Sequence, residues 1–195
     1  MALPGSYTAT LFKRVGTKVT PLSEPVSFEL AAIVEGALEG ATPQEMEAYG
    51  SAVSDAQKRA ISATTVLKQL KDTMALLRTA IDRTPSDIAK LEAQFAAIQE
   101  EIHAVNRQFY GLKSRDRMGI KPANIMSRLR YARSALASSY GPTAQHKDQL
   151  GYANDSLDSA VARIGTLQST AVPALQQAVV EAGGPWTSGL PVINK

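Results

Sequence analysis

No cysteine occurs among the 195 residues, which excludes disulfides, thiolate metal sites and thiol nucleophiles. Aromatic residues make up only 6% of the chain, and two histidines are its whole imidazole supply. A bulky aromatic core is therefore excluded, and any acid–base chemistry would fall on carboxylates or lysines. No stretch approaches the roughly 18 apolar residues of a membrane span, and residues 1–6 lack the basic start and apolar run of a signal peptide. Any export signal is expected upstream of these residues. Also missing are a Gly-x-Ser-x-Gly elbow, a phosphate-cradling glycine loop, and a serine with a base and orienting acid nearby. The expectation is a chain without enzymatic activity or cofactor.

What remains is alanine-rich and 44% hydrophobic, enough for a core of thin Ala/Leu/Ile layers between close-packed helices. The net charge of +3 is uneven. Lys113, Arg115, Arg117, Lys121, Arg128, Arg130 and Arg133 face only Asp116, so residues 113–133 carry +6 and the rest of the chain −3. Such a stretch can attract phosphate or an acidic partner, although charge runs more often form a solvated face.

Residues 5–30 alternate with the two-residue period of strands: Tyr7, Ala9 and Leu11 on one side, Thr8 and Thr10 on the other, then Val26, Phe28 and Leu30. A β-hairpin or the last strands of a sheet is expected over 1–33. An isolated hairpin is marginal in water, so it needs a surface to pack on. After a small-residue connection containing Gly36 and Gly40, Thr42-Pro43-Gln44-Glu45 has the form of a helix start. From there Met46, Tyr49, Val53, Ala56, Ala60, Ala63, Leu67, Leu70, Met74, Leu77 and Ile81 alternate spacings of three and four, the period that keeps one stripe against a partner helix.

A second start is expected at Thr84-Pro85-Ser86-Asp87, with a stripe of Ile88, Leu91, Phe95, Ile98, Ile102, Val105, Phe109 and Leu112. Residues 113–122 break the pattern with charges, Gly119 and Pro122. A third helix of roughly 17 residues carries Ile125, Leu129, Ala132 and Leu136, and a fourth opens at Thr143 with Leu150, Ala153, Leu157, Ala160, Ile164, Leu167, Ala171 and Leu175. Pro173 should kink the fourth helix. Expected lengths of roughly 40, 27, 17 and 39 residues make helices two and three together as long as helix one or four. The fold class expected is a mainly α, elongated antiparallel up-down bundle of four helices in three rods with an interrupted middle rod. The bundle spans 42–182, the hairpin precedes it, and a Gly/Pro/Trp tail occupies 183–195.

Several polar constellations compete with plain solvated surface. Glu100 and His103 have the Glu-x-x-His spacing of carboxylate-bridged di-iron bundles, but in one copy and off the core stripe, so no metal is expected. Asp155 and Asp158 are paired carboxylates on a charged helix, expected in solvent. Tyr110 and Tyr131 could stack on bases beside the basic stretch, with Tyr131 at the bundle edge as the plainer expectation. Trp186 is either an exposed docking aromatic or a lid folded over the bundle end.

The tract Tyr140-Gly-Pro-Thr-Ala-Gln, Leu157 to Leu167, Val172-Pro173-Ala174-Leu175 and Glu181-Ala-Gly-Gly-Pro-Trp-Thr resembles the C-terminal region of large bacterial sortilin-like, BNR-repeat "glycosyl hydrolase" proteins. In that family a β-propeller precedes a small β domain with last strands similar to Pro4-Gly5-x-Tyr7-x-Ala9-x-Leu11 and Phe28-x-Leu30, and a helical segment follows. The resemblance implies a non-catalytic C-terminal interaction or spacer domain of a secreted or periplasmic protein, partnered by the β domains of its own parent chain. No Asp-box or propeller blade is present, so any glycan chemistry would belong to other sequence. The alternative is a stand-alone adaptor that binds an acidic partner, or less favourably nucleic acid, through residues 113–133.

Overall fold

Helix formation begins at Thr42. In the computed structural model, which describes residues 4–31, 40–86, 88–112, 123–138 and 140–185, its hydroxyl accepts from the Glu45 N–H at 3.2 Å. The Glu45 carboxylate accepts from the Thr42 N–H at 2.8 Å in return. This exchange satisfies donors that a helix start leaves free, and Pro43 in the first turn has no N–H to satisfy. Helix α1 then runs Pro43–Asp82, 40 residues without a break. At 1.5 Å per residue it is about 60 Å long. Every stripe position from Tyr49 to Ile81 is buried, and Met46 at the open end is half-buried.

Helix α2, Ala89–Tyr110, buries Leu91, Phe95, Ile98, Ile102, Val105 and Phe109. Two expectations fail here. The helix does not start at Thr84-Pro85: its N-cap is Ile88, without a side-chain cap. The Thr84 hydroxyl instead donates back to the Ala80 carbonyl of α1 at 3.0 Å, and Ser86 donates across to Ala182 at 2.7 Å. Both hydroxyls are thus taken by neighbouring helix ends. Leu112, assigned to the stripe, lies beyond the helix and is 39% exposed.

Helix α3, Ile125–Ser134, is followed by a single 3-10 turn, Ala135–Ala137, so the third helix is shorter than the 17 residues expected. Helix α4, Ala144–Thr166, passes through a π turn, Leu167–Ala171, into helix α5, Val172–Glu181. The π turn is how the backbone carries Pro173. Proline lacks an N–H and crowds the preceding turn, and here the Val172 N–H reaches back five residues to the Leu167 carbonyl. The inserted residue shifts the buried stripe. Ile164 and Leu167 close its first part, and Val172, Leu175 and Val179 are buried beyond the turn, while Ala171 between them is half-exposed.

Cross-helix pairs fix the directions. Lys71 meets Asn106 and Arg78 meets Glu92, so α2 runs against α1. Arg128 meets Gln149 and Tyr131 stacks on His146, so α3 runs against α4. Tyr49 reaches the His146 carbonyl and Arg59 pairs with Asp158, so α1 and α4 are parallel. The result is three rods, up, down and up, with α2 and α3 sharing the middle one. At the lower end the Ala41 N–H donates to Tyr140, and Gly141, at φ 85°, sits where a Cβ would come within 2.5 Å of Ala41. At the upper end, residues 84–86 meet 182–184.

The N-terminal segment is one long hairpin made of two ladders. β1, Gly5–Ala9, pairs antiparallel with β4, Val26–Leu30, and β2, Phe12–Val15, with β3, Lys18–Pro21. Between the ladders residues 10–11 face the longer stretch 22–25, a bulge closed by Leu22 N–H to Leu11 carbonyl at 2.8 Å and Leu11 N–H to Ser23 Oγ at 3.1 Å. Tyr7 and Phe28 stack across the outer ladder at 6.1 Å between ring centroids. No residue of 4–31 is buried, and only Tyr7 and Thr10 are half-buried.

Candidate functional site

The middle rod is broken between Gly111 and Asn124, and the break is sharply made on both sides. Gly111 closes α2 at φ 75°, its N–H bonded to the Arg107 carbonyl. Asn124 opens α3 with its side chain on the Ser127 N–H at 2.9 Å, while Ser127 Oγ accepts from the Asn124 N–H at 2.9 Å. Between these two ends a cleft of about 520 Å³ is walled by α2, α3 and α4. Arg107, Gln108, Asn124, Arg128, Asp155, Ser156 and Ser159 supply its polar lining.

Arg128 is the best-positioned cation there. Its Nη1 donates to Gln149 Oε1 at 2.6 Å, and its guanidinium lies 5.1 Å over the Tyr152 ring. Gln108 Oε1 is shielded from solvent and has no hydrogen-bond partner among the described residues. Arg107 is engaged by Glu100 at 2.8 Å.

A second, more apolar groove of about 350 Å³ lies beside the π turn, lined by Ala97, Ile98, Leu167 and Ala171 with Glu101 and Arg163 on its rim. Arg163 Nε and Nη2 donate to the two Glu101 carboxylate oxygens at 2.6 and 2.7 Å. That fork holds the Glu101 carboxyl below its ordinary value.

The residues singled out from the sequence fall apart in space. Lys113, Arg115, Arg117 and Lys121, with Trp186, lie outside the described residues. Arg128 separates from Arg130, because positions two apart on a helix face different ways. Arg128 turns half-buried toward α4, whereas Arg130 and Arg133, three apart, are exposed on one face. Tyr131 stacks on His146 at 4.7 Å, and Tyr110 is 53% exposed next to Phe109.

Glu100 and His103 are both exposed, and the hydrogen bond from Arg107 keeps Glu100 below its ordinary pKa, so it is held as an anion rather than a proton donor. Among the described residues no three histidine or acidic side chains cluster as metal ligands. Asp158 pairs with Arg59. Asp155 alone of that carboxylate pair reaches the cleft. Arg107, Gln108, Asn124 and Ser159 were not expected at a site; the nearness of the first three to the 113–122 break is a sequence signal that could have found them, and Ser159 has none.

No hydrogen bond joins a hydroxyl to a base among the described residues that line the cleft, and that lining can recognise charge and hydrogen-bonding groups. Compared with protein-family models, with curated proteins and with solved structures, the chain matches none of them.

Proposed function

We propose that this chain is a non-catalytic interaction or spacer domain of a larger secreted or periplasmic protein, in which the bundle holds neighbouring domains apart. One observation carries the proposal: the chain enters the bundle beside residues 140–142 and leaves it beside residues 84–86, at opposite ends of a rod 40 residues long. An enzyme needs no such separation of entry and exit, whereas a strut does. The hairpin supports the same conclusion, since apolar side chains that its own bundle leaves exposed suit continuation into the β domains that the sortilin-like resemblance implies.

An antibody against the bundle tests this in fractions of the source cells. A polypeptide several times larger than 20.8 kDa in an exported fraction is expected, and one near 20.8 kDa in the cytoplasm overturns the proposal.

A second function, an adaptor for an acidic partner through residues 113–133, draws on Arg130 and Arg133, which are exposed and make no ion pair among the described residues. Binding of that kind should weaken steeply with salt and disappear in Arg130→Glu/Arg133→Glu.

A further inference from the structure

The cleft at the broken middle rod holds two opposite charges that no described residue pairs. Arg128 spends one N–H on a neutral amide, Gln149, and its flat face on Tyr152, and no carboxylate among the described residues pairs with it. Asp155, on α4, makes no hydrogen bond or ion pair among the described residues. Leu112, Ala123 and Ile125 give the same cleft an apolar wall.

We infer that this cleft is a binding site for a small zwitterion of amino-acid or short-peptide type, with its anionic end on Arg128 and its ammonium end on Asp155. The paired demand decides the ligand class. A simple anion would satisfy Arg128 but meet Asp155, and a simple cation would do the reverse; only a molecule carrying both charges answers both walls. The Arg128 fork is already held in place by Gln149 and Tyr152, so little side-chain freedom is lost when a carboxylate docks. The volume of about 520 Å³ lies inside the range of small-molecule sites and leaves room for more than one residue of a peptide.

The test uses the full chain, ¹⁵N-labelled, titrated with glycylglycine, with acetate and methylammonium as single-charge controls. Glycylglycine should shift the amides of 107–112, 124–128 and 155–159 saturably, with an affinity on the order of millimolar, and each control should bind about tenfold or more weakly. Arg128→Gln and Asp155→Asn should each weaken glycylglycine about tenfold, while Arg130→Gln leaves it unchanged. Circular dichroism checks that both variants keep their helices, and the wild-type controls stand even where a variant does not fold. The inference is overturned by an absence of saturable shifts at those amides, by acetate binding as tightly as glycylglycine, or by unchanged affinity in both folded variants.

Discussion

Leu77 in α1 and Phe28 in β4 are both large apolar side chains, yet the first is fully shielded and the second is 45% exposed. The contrast extends to their surroundings. In α1 a spacing of three and four brings each stripe residue to a face that two other rods cover, so the bundle satisfies its own burial. In the hairpin the two-residue period also gathers Tyr7, Ala9, Val26, Phe28 and Leu30 on one face of the outer ladder, but no residue of that face is buried. Regular patterning therefore secures an apolar face, and only the presence of a second layer secures its burial. The bundle should be stable by itself and the hairpin should contribute almost nothing to that stability.

The largest test of this difference is a pair of truncations. Leu77→Ala should cost about 3 kcal/mol, the transfer term plus a cavity that close-packed rods cannot collapse. Phe28→Ala should change the same unfolding midpoint by less than about 0.5 kcal/mol, as expected of a side chain outside the core. Chemical denaturation followed by circular dichroism at 222 nm reads both. An equal loss in the two variants would mean that the hairpin packs on the bundle in solution.

Gly141→Ala sharpens the comparison at the junction between the two regions. Residue 141 has φ 85°, and an added Cβ would lie 2.5 Å from the Ala41 Cβ and 3.0 Å from Met46 Sδ. Backbone strain and the clash together should destabilise by about 2 kcal/mol. A neutral result would show that the 40–42 segment can move off the bundle end.

Tyr49→Phe should come next, at about 1 kcal/mol. The hydroxyl is bonded to the Ala132 carbonyl at 2.9 Å and lies 3.2 Å from the His146 carbonyl, tying α1 to both elements that flank the 135–143 connection. Burial raises its pKa, so it stays a neutral donor, and phenylalanine leaves the Ala132 carbonyl without that donor. Urea unfolding at neutral pH measures the difference.

These sites also mark what the sequence could convey. The stripe of α1 was legible residue by residue, because a period of 3.5 held over five heptads is what one helix packed along another demands. The start of α2 was not, since Thr84 and Ser86 look like capping residues and their hydroxyls go to Ala80 and Ala182, the second of these a partner that only tertiary structure brings near. Pro173 announced a disturbance but not its form: the expected stripe ran through Ala171 in steps of four, whereas the buried positions step by five from Leu167 to Val172, one residue more than an α-helical stripe allows. For the cleft, residues 113–122 stood out as an interruption, but Asp155, Ser156 and Ser159 face it from a helix whose own pattern is unbroken there. Which flank of a rod lines a cleft is set by its neighbours, and no local pattern in that rod records it.

The smallest expected effect concerns the ion pair that joins α2 to α4. Arg163 holds the folded Glu101 carboxyl below its ordinary pKa of about 4.3. A group with a depressed folded pKa stabilises the fold fully above the unfolded value and loses that contribution as pH falls through the folded one. The pair is partly exposed, at 31% for Arg163 and 39% for Glu101, so solvent screening limits it to about 0.5 kcal/mol despite the two-pronged geometry. Glu101→Gln should therefore be less stable than the parent at pH 7 by about that amount and match it once the pH has fallen below the lowered folded pKa, where the parent carboxyl is protonated. Thermal unfolding across that range, repeated at high salt, should show the gap closing in both directions. A gap that stays constant with pH would assign the cost to lost packing of the side chain, and the rods would then be joined there by their stripes alone.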